Sequence, residues 1–204
     1  MPDHDFLNPY EEIERHGRDL PHWQQGESMQ FVTFRLGDSI PKQKVDLWLE
    51  ERKMFVVRQP PPWNEATARE YQERFTRKIE KGLDDCVGSC LLRDPNHREI
   101  LVGTMMRFQN IRYELLSWVI MPNHVHALFR PMERIEKSIQ AWKAFSAREI
   151  GQGSIWQRGY RDTLIRDSEH FRNAVRYIRK NPNKAGLRQG EFSLWESPRA
   201  SAIE

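Results

Sequence analysis

Two short strand-like runs, Tyr113 to Ile120 and Asn123 to Arg130, meet at Met121-Pro122-Asn123, and this junction constrains the fold more than any other stretch. Runs of this length and composition, closed by a Pro-Asn turn, predict a β-hairpin. The second run carries His124-Val125-His126. Strand side chains alternate between faces, so histidines at i and i+2 point the same way, roughly 7 Å apart along the chain. Two imidazoles on one face are half of a metal site, although two partly exposed strand histidines without a metal give the same pattern. Nitrogen and oxygen donors without cysteine suit Mg²⁺, Mn²⁺ or Zn²⁺.

Around the hairpin, patterning predicts a strand over 29–36 followed by a Gly37-Asp38 turn. An amphipathic helix is expected over 42–53, and Pro60-Pro61-Pro62 stops regular structure. A charged helical stretch covers 64–83, with Ala68, Tyr71, Phe75 and Ile79 as its apolar stripe. Further helices are expected over 97–110 and 135–150, with loop and strand mixed over 154–166. The last helix starts near Asp167 or Ser168, and Pro182 is expected to end it at Asn181. Its core stripe is Phe171, Ala174, Val175 and Ile178. Residues 1–28 read as a loosely packed arm and 188–204 as a polar tail.

With 204 residues the chain is long enough for a real core. No apolar run approaches the roughly 18 residues of a membrane helix, and the N-terminus has no signal-like pattern. Cys86 and Cys90, the only cysteines, make neither a disulfide framework nor a zinc site alone, and suit a reducing cytoplasm. Net charge is +3 but unevenly spread. Residues 130–190 hold 14 Lys and Arg against 6 Asp and Glu, a surplus of +8, whereas the remainder has 18 against 23. A basic C-terminal third suggests a polyanionic partner on that side.

On the last helix Tyr177 and Asn181 lie four apart, one above the other. A tyrosine one turn from an amide suits a phenol nucleophile beside a ligand oxygen. The same spacing also suits a core-edge tyrosine and a helix-closing asparagine.

Several blocks in order resemble a known family: Val119-Ile-Met-Pro-Asn-His-Val-His126, Ile155-Trp-Gln-Arg-Gly-Tyr160, Leu164-Ile-Arg-Asp167 and Val175-Arg-Tyr-Ile-Arg-Lys-Asn-Pro-Asn-Lys-Ala-Gly-Leu187. Together they resemble the REP-associated tyrosine transposases, within the single-tyrosine HUH nucleases. Leu20-Pro-His-Trp23 and Phe31-Val-Thr-Phe-Arg-Leu36 are similar to the family's lead-in. The resemblance implies an α+β fold, a ferredoxin-like antiparallel sheet with helices on one face. It implies an arm over 1–28, a catalytic domain over 29–187 with a helical insertion around 64–83, and a tail over 188–204. It places divalent-metal ligands at His124, His126 and Asn181 and the nucleophile at Tyr177, with Mg²⁺ or Mn²⁺ as cofactor. Thr163 stands where many relatives have histidine, and the Trp-Pro-Trp-Ser run usual after the position of Leu187 is missing.

The implied substrate is single-stranded or hairpin DNA at repetitive extragenic palindromes. Phosphate contacts are expected from Arg130, Lys143, Arg158, Arg161, Arg166, Arg176, Lys180 and Lys184. Trp156 and Tyr160, flanking Arg158, are the expected base-stacking pair. The implied reaction is phosphodiester transesterification through a 5′-phosphotyrosine, carried out by a monomer or homodimer. A nicking enzyme with the same chemistry, or a non-mobilising regulator of hairpin sites, are the alternatives.

Overall fold

The structure is a computed structural model describing residues 5–16, 22–60 and 64–204. Leu20-Pro21 of the lead-in and Pro61-Pro62 lie outside the described residues. Five strands form one antiparallel sheet in the order β6-β3-β5-β4-β7: β3 (Gln30–Arg35), β4 (Tyr113–Ile120), β5 (His124–Pro131), β6 (Arg161–Leu164) and β7 (Ser193–Glu196). The α+β antiparallel architecture is thus the expected one, and the hairpin β4–β5 lies at its heart. A small hairpin, β1 (Glu14–His16) with β2 (His22–Gln24), precedes it.

Helices cover both faces of the sheet rather than one. The cause is legible in the burial of β4 and β5: nearly every residue is buried, so neither face can be left to water. On one face Val32, Phe34, Val125, Ala127 and Phe129 pack against α4 (Pro95–Met106) and α5 (Ile135–Ile150). Trp142 of α5 donates to the Tyr113 hydroxyl at 2.8 Å, which donates to the Met105 carbonyl at 2.7 Å, tying helix, strand and helix together. On the other face Met29, Val119 and Leu128 meet α6 (Ser168–Lys184) through Phe171, Ala174, Val175 and Ile178. Each large apolar side chain buried there contributes about 1.5–3 kcal/mol, which fixes the rotation of α6 about its axis.

Three boundaries differ from expectation. α6 does not end at Asn181 but runs through Pro182 to Lys184. Proline removes one donor near the helix end, and the Ala185 and Leu187 N–H groups bond the Asn181 and Pro182 carbonyls instead. The tail is no tail: β7 pairs with β4, Trp195 stacks on Trp118 at 6.2 Å, and α7 (Pro198–Ser201) buries Ala200. The described end of the arm is likewise built in. His22, Gln24, Gln25 and Ser28 are buried, and Asp162 of β6 accepts from the Trp23 amide and meets His22 Nδ1 at 2.5 Å. The anchors of the segment 22–28 are polar groups, which leave no apolar period, and those of the C-terminal segment are a few isolated apolar residues.

Between β3 and α4 the chain runs through α1 (Lys42–Arg58), α2 (Glu65–Tyr71), a π-helical turn (Gln72–Thr76) and α3 (Arg77–Asp84).

Candidate metal and tyrosine site

Register places the site. Residues directly opposite on paired strands share a face, so Arg161, Thr33 and His126 form one row across β6, β3 and β5, with Arg35 and His124 in the next row. Both rows face α6. The histidines are buried, and their Nε2 atoms approach to 3.1 Å.

Neighbours fix both rings. Asn123 donates its Nδ2 to the Leu83 carbonyl at 3.2 Å, so its Oδ1 is left to accept from His124 Nδ1 at 2.7 Å. That assigns the His124 proton to Nδ1 and turns its Nε2 lone pair inward. Thr33 Oγ1 holds His126 Nδ1 at 2.8 Å. When the threonine donates, His126 Nε2–H bonds His124 Nε2; when it accepts, both Nε2 lone pairs face the same point. Burial lowers the His124 pKa to about 3 and holds His126 well below its usual value, with each other's proximity and Lys184 adding to the effect on His126. Both imidazoles are therefore neutral at physiological pH, the form that binds a cation.

Tyr177 projects from α6 against His126, ring centroids 5.2 Å apart and nearly perpendicular, with Phe31 edge-on to it at 5.8 Å. Its hydroxyl is buried without a hydrogen bond. Burial raises the phenol pKa well above its usual value, and the Glu80 and Asp84 carboxylates push it further. The Asn181 amide lies close enough to oppose that shift, but makes no hydrogen bond of acceptable geometry to the phenol. Asn181 is 1% exposed, and both its Oδ1 and Nδ2 lack partners.

These residues fit a divalent cation. Two ligand nitrogens each about 2.1 Å from one ion stand roughly 3.0–3.4 Å apart, and the Nε2 atoms are 3.1 Å apart. A buried amide with nothing to bond is costly unless something else occupies its oxygen. Among the described residues no group of three or more His, Cys, Asp or Glu could hold a metal ion.

Other expected contacts scatter. Arg158, Arg166 and Lys180 are exposed. Arg130 is held by Glu114 at 3.0 Å and Glu27 at 2.9 Å, and Arg176 donates to the Glu204 backbone oxygen at 2.6 Å. Lys143 donates to the Gln157 and Gly159 carbonyls, and burial lowers its pKa to about 8. Trp156 and Tyr160 are not free stacking platforms. Trp156 is in the core with its Nε1 donating to Ser146 at 3.0 Å, and Tyr160 is buried with one ring face stacked on His22 at 3.8 Å. Lys184 pairs with Asp84 at 2.7 Å beside Tyr177, and Arg161 lies on the histidine row. Asn123, Thr33, Glu80 and Asp84 were not singled out as site residues. Only Asn123, adjacent to the His pair, carried a local signal.

Residues 96–181, which contain both histidines, Tyr177 and Asn181, match the family model described as transposase IS200 like. A 77-residue stretch is 29% identical to the REP-associated tyrosine transposase of Escherichia coli (strain K12), covering 36% of this chain and 47% of that protein. The resemblance read from the motif blocks is borne out, although the chain spans only about half the length of that relative. Among solved structures, a REP-associated tyrosine transposase bound to a REP hairpin is matched over 85% of this chain and 77% of that one, at 16% identity and a TM-score of 0.48.

Proposed function

We propose that this chain is a tyrosine DNA transposase or nuclease of the cytoplasm that cuts and rejoins single-stranded or hairpin DNA at repetitive extragenic palindromes. The reading rests above all on one juxtaposition: Tyr177, its hydroxyl unbonded and one turn from the unbonded Asn181 amide, packs against His126 of the buried imidazole pair. A Mg²⁺ or Mn²⁺ ion held by His124, His126 and Asn181 would supply charge neutralisation at a nonbridging phosphate oxygen.

The chain's own residues account for the rest. Tyr177 Oη attacks phosphorus as its proton departs; the P–O3′ bond breaks, leaving a 5′-phosphotyrosine, and the departing 3′-oxygen takes up a proton to become a 3′-hydroxyl. Phenolate is a better leaving group than an alkoxide, so a 3′-hydroxyl can reverse the step without ATP. Phe31 and the His126 ring hold the phenol in place, and the buried wall limits water, which would hydrolyse the ester. Lys184, 6.0 Å from the phenol ring, and Arg161, on the His126 row, are cations beside the site, while Arg158, Arg166 and Lys180 extend the basic surface.

End-labelled DNA hairpins incubated with protein and Mn²⁺ test the reading on a denaturing gel. A protein–DNA adduct is expected, absent in Tyr177→Phe, and transferable to a second oligonucleotide. Cleavage without joining would favour a nicking enzyme. Tight hairpin binding with no adduct would favour a regulator and defeat the catalytic reading.

A further inference from the structure

α1 has two faces, and the fold accounts for only one. On the inner face Phe55 is buried against Tyr71 and Phe75, ring centroids 5.8 and 5.4 Å away. The Trp48 ring lies close enough to Gly82 of α3 that a Cβ there would stand 3.1 Å from it. The outer face is not polar, as a solvated helix face is expected to be. Leu47 is 59% exposed, Met54 52% and Val57 77%, and with Leu49 the helix carries four of the nine large apolar side chains that the described residues leave exposed. Leu47, Met54 and Val57 follow one another at intervals of seven and three, the spacing of the a and d positions of a coiled-coil seam. A groove of about 380 Å³ runs beside them, with Leu47, Met54, Phe55 and Arg74 in its lining.

Charge names the occupant. With Met54 at a and Val57 at d, Glu51 and Arg58 take the e positions and Asp46 and Lys53 the g positions. In each pair the acid comes first and the base second. A parallel neighbour of the same sequence would set g beside e, placing Lys53 against Arg58 and Asp46 against Glu51, like charges both times. An antiparallel neighbour sets e beside e, so Arg58 of each copy meets Glu51 of the other and Met54 packs on Val57 in both directions. Arg58 is exposed; Glu51 pairs with Lys78 at 2.8 Å, and a carboxylate can accept from a second cation as well. We propose that the outer face of α1 is a self-association surface, on which a second copy of this chain docks antiparallel about a two-fold axis near Met54 and Val57. The seam is short. A helix of 17 residues is about 25 Å long, and a strip of that length falls well below the about 1,200 Å² of total buried surface usual in stable complexes. The dimer is therefore an exchanging one, with a dissociation constant on the order of 10–100 µM. None of these residues belongs to the metal and tyrosine site, so the surface stands or falls apart from the DNA role.

Sedimentation equilibrium of the DNA-free full chain, from micromolar to several hundred micromolar, tests the proposal. The parent should pass from monomer towards dimer across that range. Met54→Glu sets a charge in the seam at an exposed position and should stay monomeric throughout. Arg58→Glu and Glu51→Lys should each weaken self-association about tenfold, because each turns two attractive pairs into repulsive ones. Mixed in equal amounts, these two variants should associate at least as tightly as the parent, since only the mixed pair restores opposite charges on both sides of the seam. Recovery on mixing also separates lost pairing from lost folding, because an unfolded chain gains nothing from its complement. A parent that stays monomeric at the highest concentration would overturn the proposal and leave the stripe to an unlike protein. A dimer indifferent to Met54→Glu, or single variants that do not recover on mixing, would overturn it as well.

Discussion

Replacing Asn181 with leucine should make the metal-free protein more stable, an unusual expectation for a substitution in a buried site. Asn181 is 1% exposed with neither its oxygen nor its nitrogen bonded. Leaving such groups unpaired costs about 1–3 kcal/mol, and leucine removes that cost at nearly the same volume. Leucine also gains about 0.4 kcal/mol in helix propensity, whereas fitting a branched side chain takes back about 1 kcal/mol. The net expectation in EDTA is about 1–2 kcal/mol of added stability, or roughly 3–6 °C in Tm for a chain of this size. Mn²⁺ should reverse the ranking. A ligand at 100 times its Kd stabilises by about 2.7 kcal/mol, and only the parent retains all three donors. Urea unfolding with and without Mn²⁺ measures both effects. Asn181→Leu destabilised by more than about 1 kcal/mol in EDTA, or showing the parent's full Mn²⁺ response, would refute the reasoning that this amide is kept for a cation.

Other expectations concern groups whose roles the fold separates. Tyr177→Phe removes a buried, unbonded hydroxyl, so it should abolish the DNA adduct while leaving urea stability unchanged or up to about 1 kcal/mol higher. His124 is depressed to about 3 in the folded protein from an unfolded value near 6.5. Its contribution to stability is therefore complete above pH 6.5 and is lost as pH falls toward 3, at about 1.4 kcal/mol per pH unit. His124→Asn should show a correspondingly shallower loss between pH 6 and 4 in parallel urea titrations. Lys143→Met should cost about 1–3 kcal/mol by freeing the 157 and 159 carbonyls, yet leave the salt dependence of hairpin binding unchanged. Arg166→Ala should do the opposite, sparing stability and reducing the salt slope by about 1.

The parts of the fold that were legible in the sequence were those written in apolar period. β4, β5, α5 and the core stripe of α6 all fall where alternation or helical spacing put them. The pair His124 and His126, with Tyr177 and Asn181 one turn apart, was equally visible, and Tyr177 packs on His126 with ring centroids 5.2 Å apart. Segments held by polar groups were not visible. β2 is secured through Asp162, 140 residues from His22, and α6 reaches the C-terminal segment through Arg179, which grips Glu196 at 3.0 Å and bonds the Ile203 carbonyl. Aromatic residues flanking an arginine looked like a stacking surface, yet Trp156 and Tyr160 were recruited by the core. Burial outweighs neighbouring charge in deciding where a large ring goes.

The site is therefore a property of strand register more than of any local motif. Thr33 can orient His126, and Arg161 can share its row, only because β3 pairs with both β5 and β6 in one specific alignment. A slip of one residue would turn the histidines to the α4–α5 face and carry Val125 into the polar wall. The register is held by the two apolar faces of β5: Val125, Ala127 and Phe129 fill one core, and Leu128 the other. Both cores would have to be broken to misplace the histidines. The neutral, desolvated imidazole pair is thus stabilised by packing that has no chemical role, which is why its low pKa and its orphaned partner on α6 persist together.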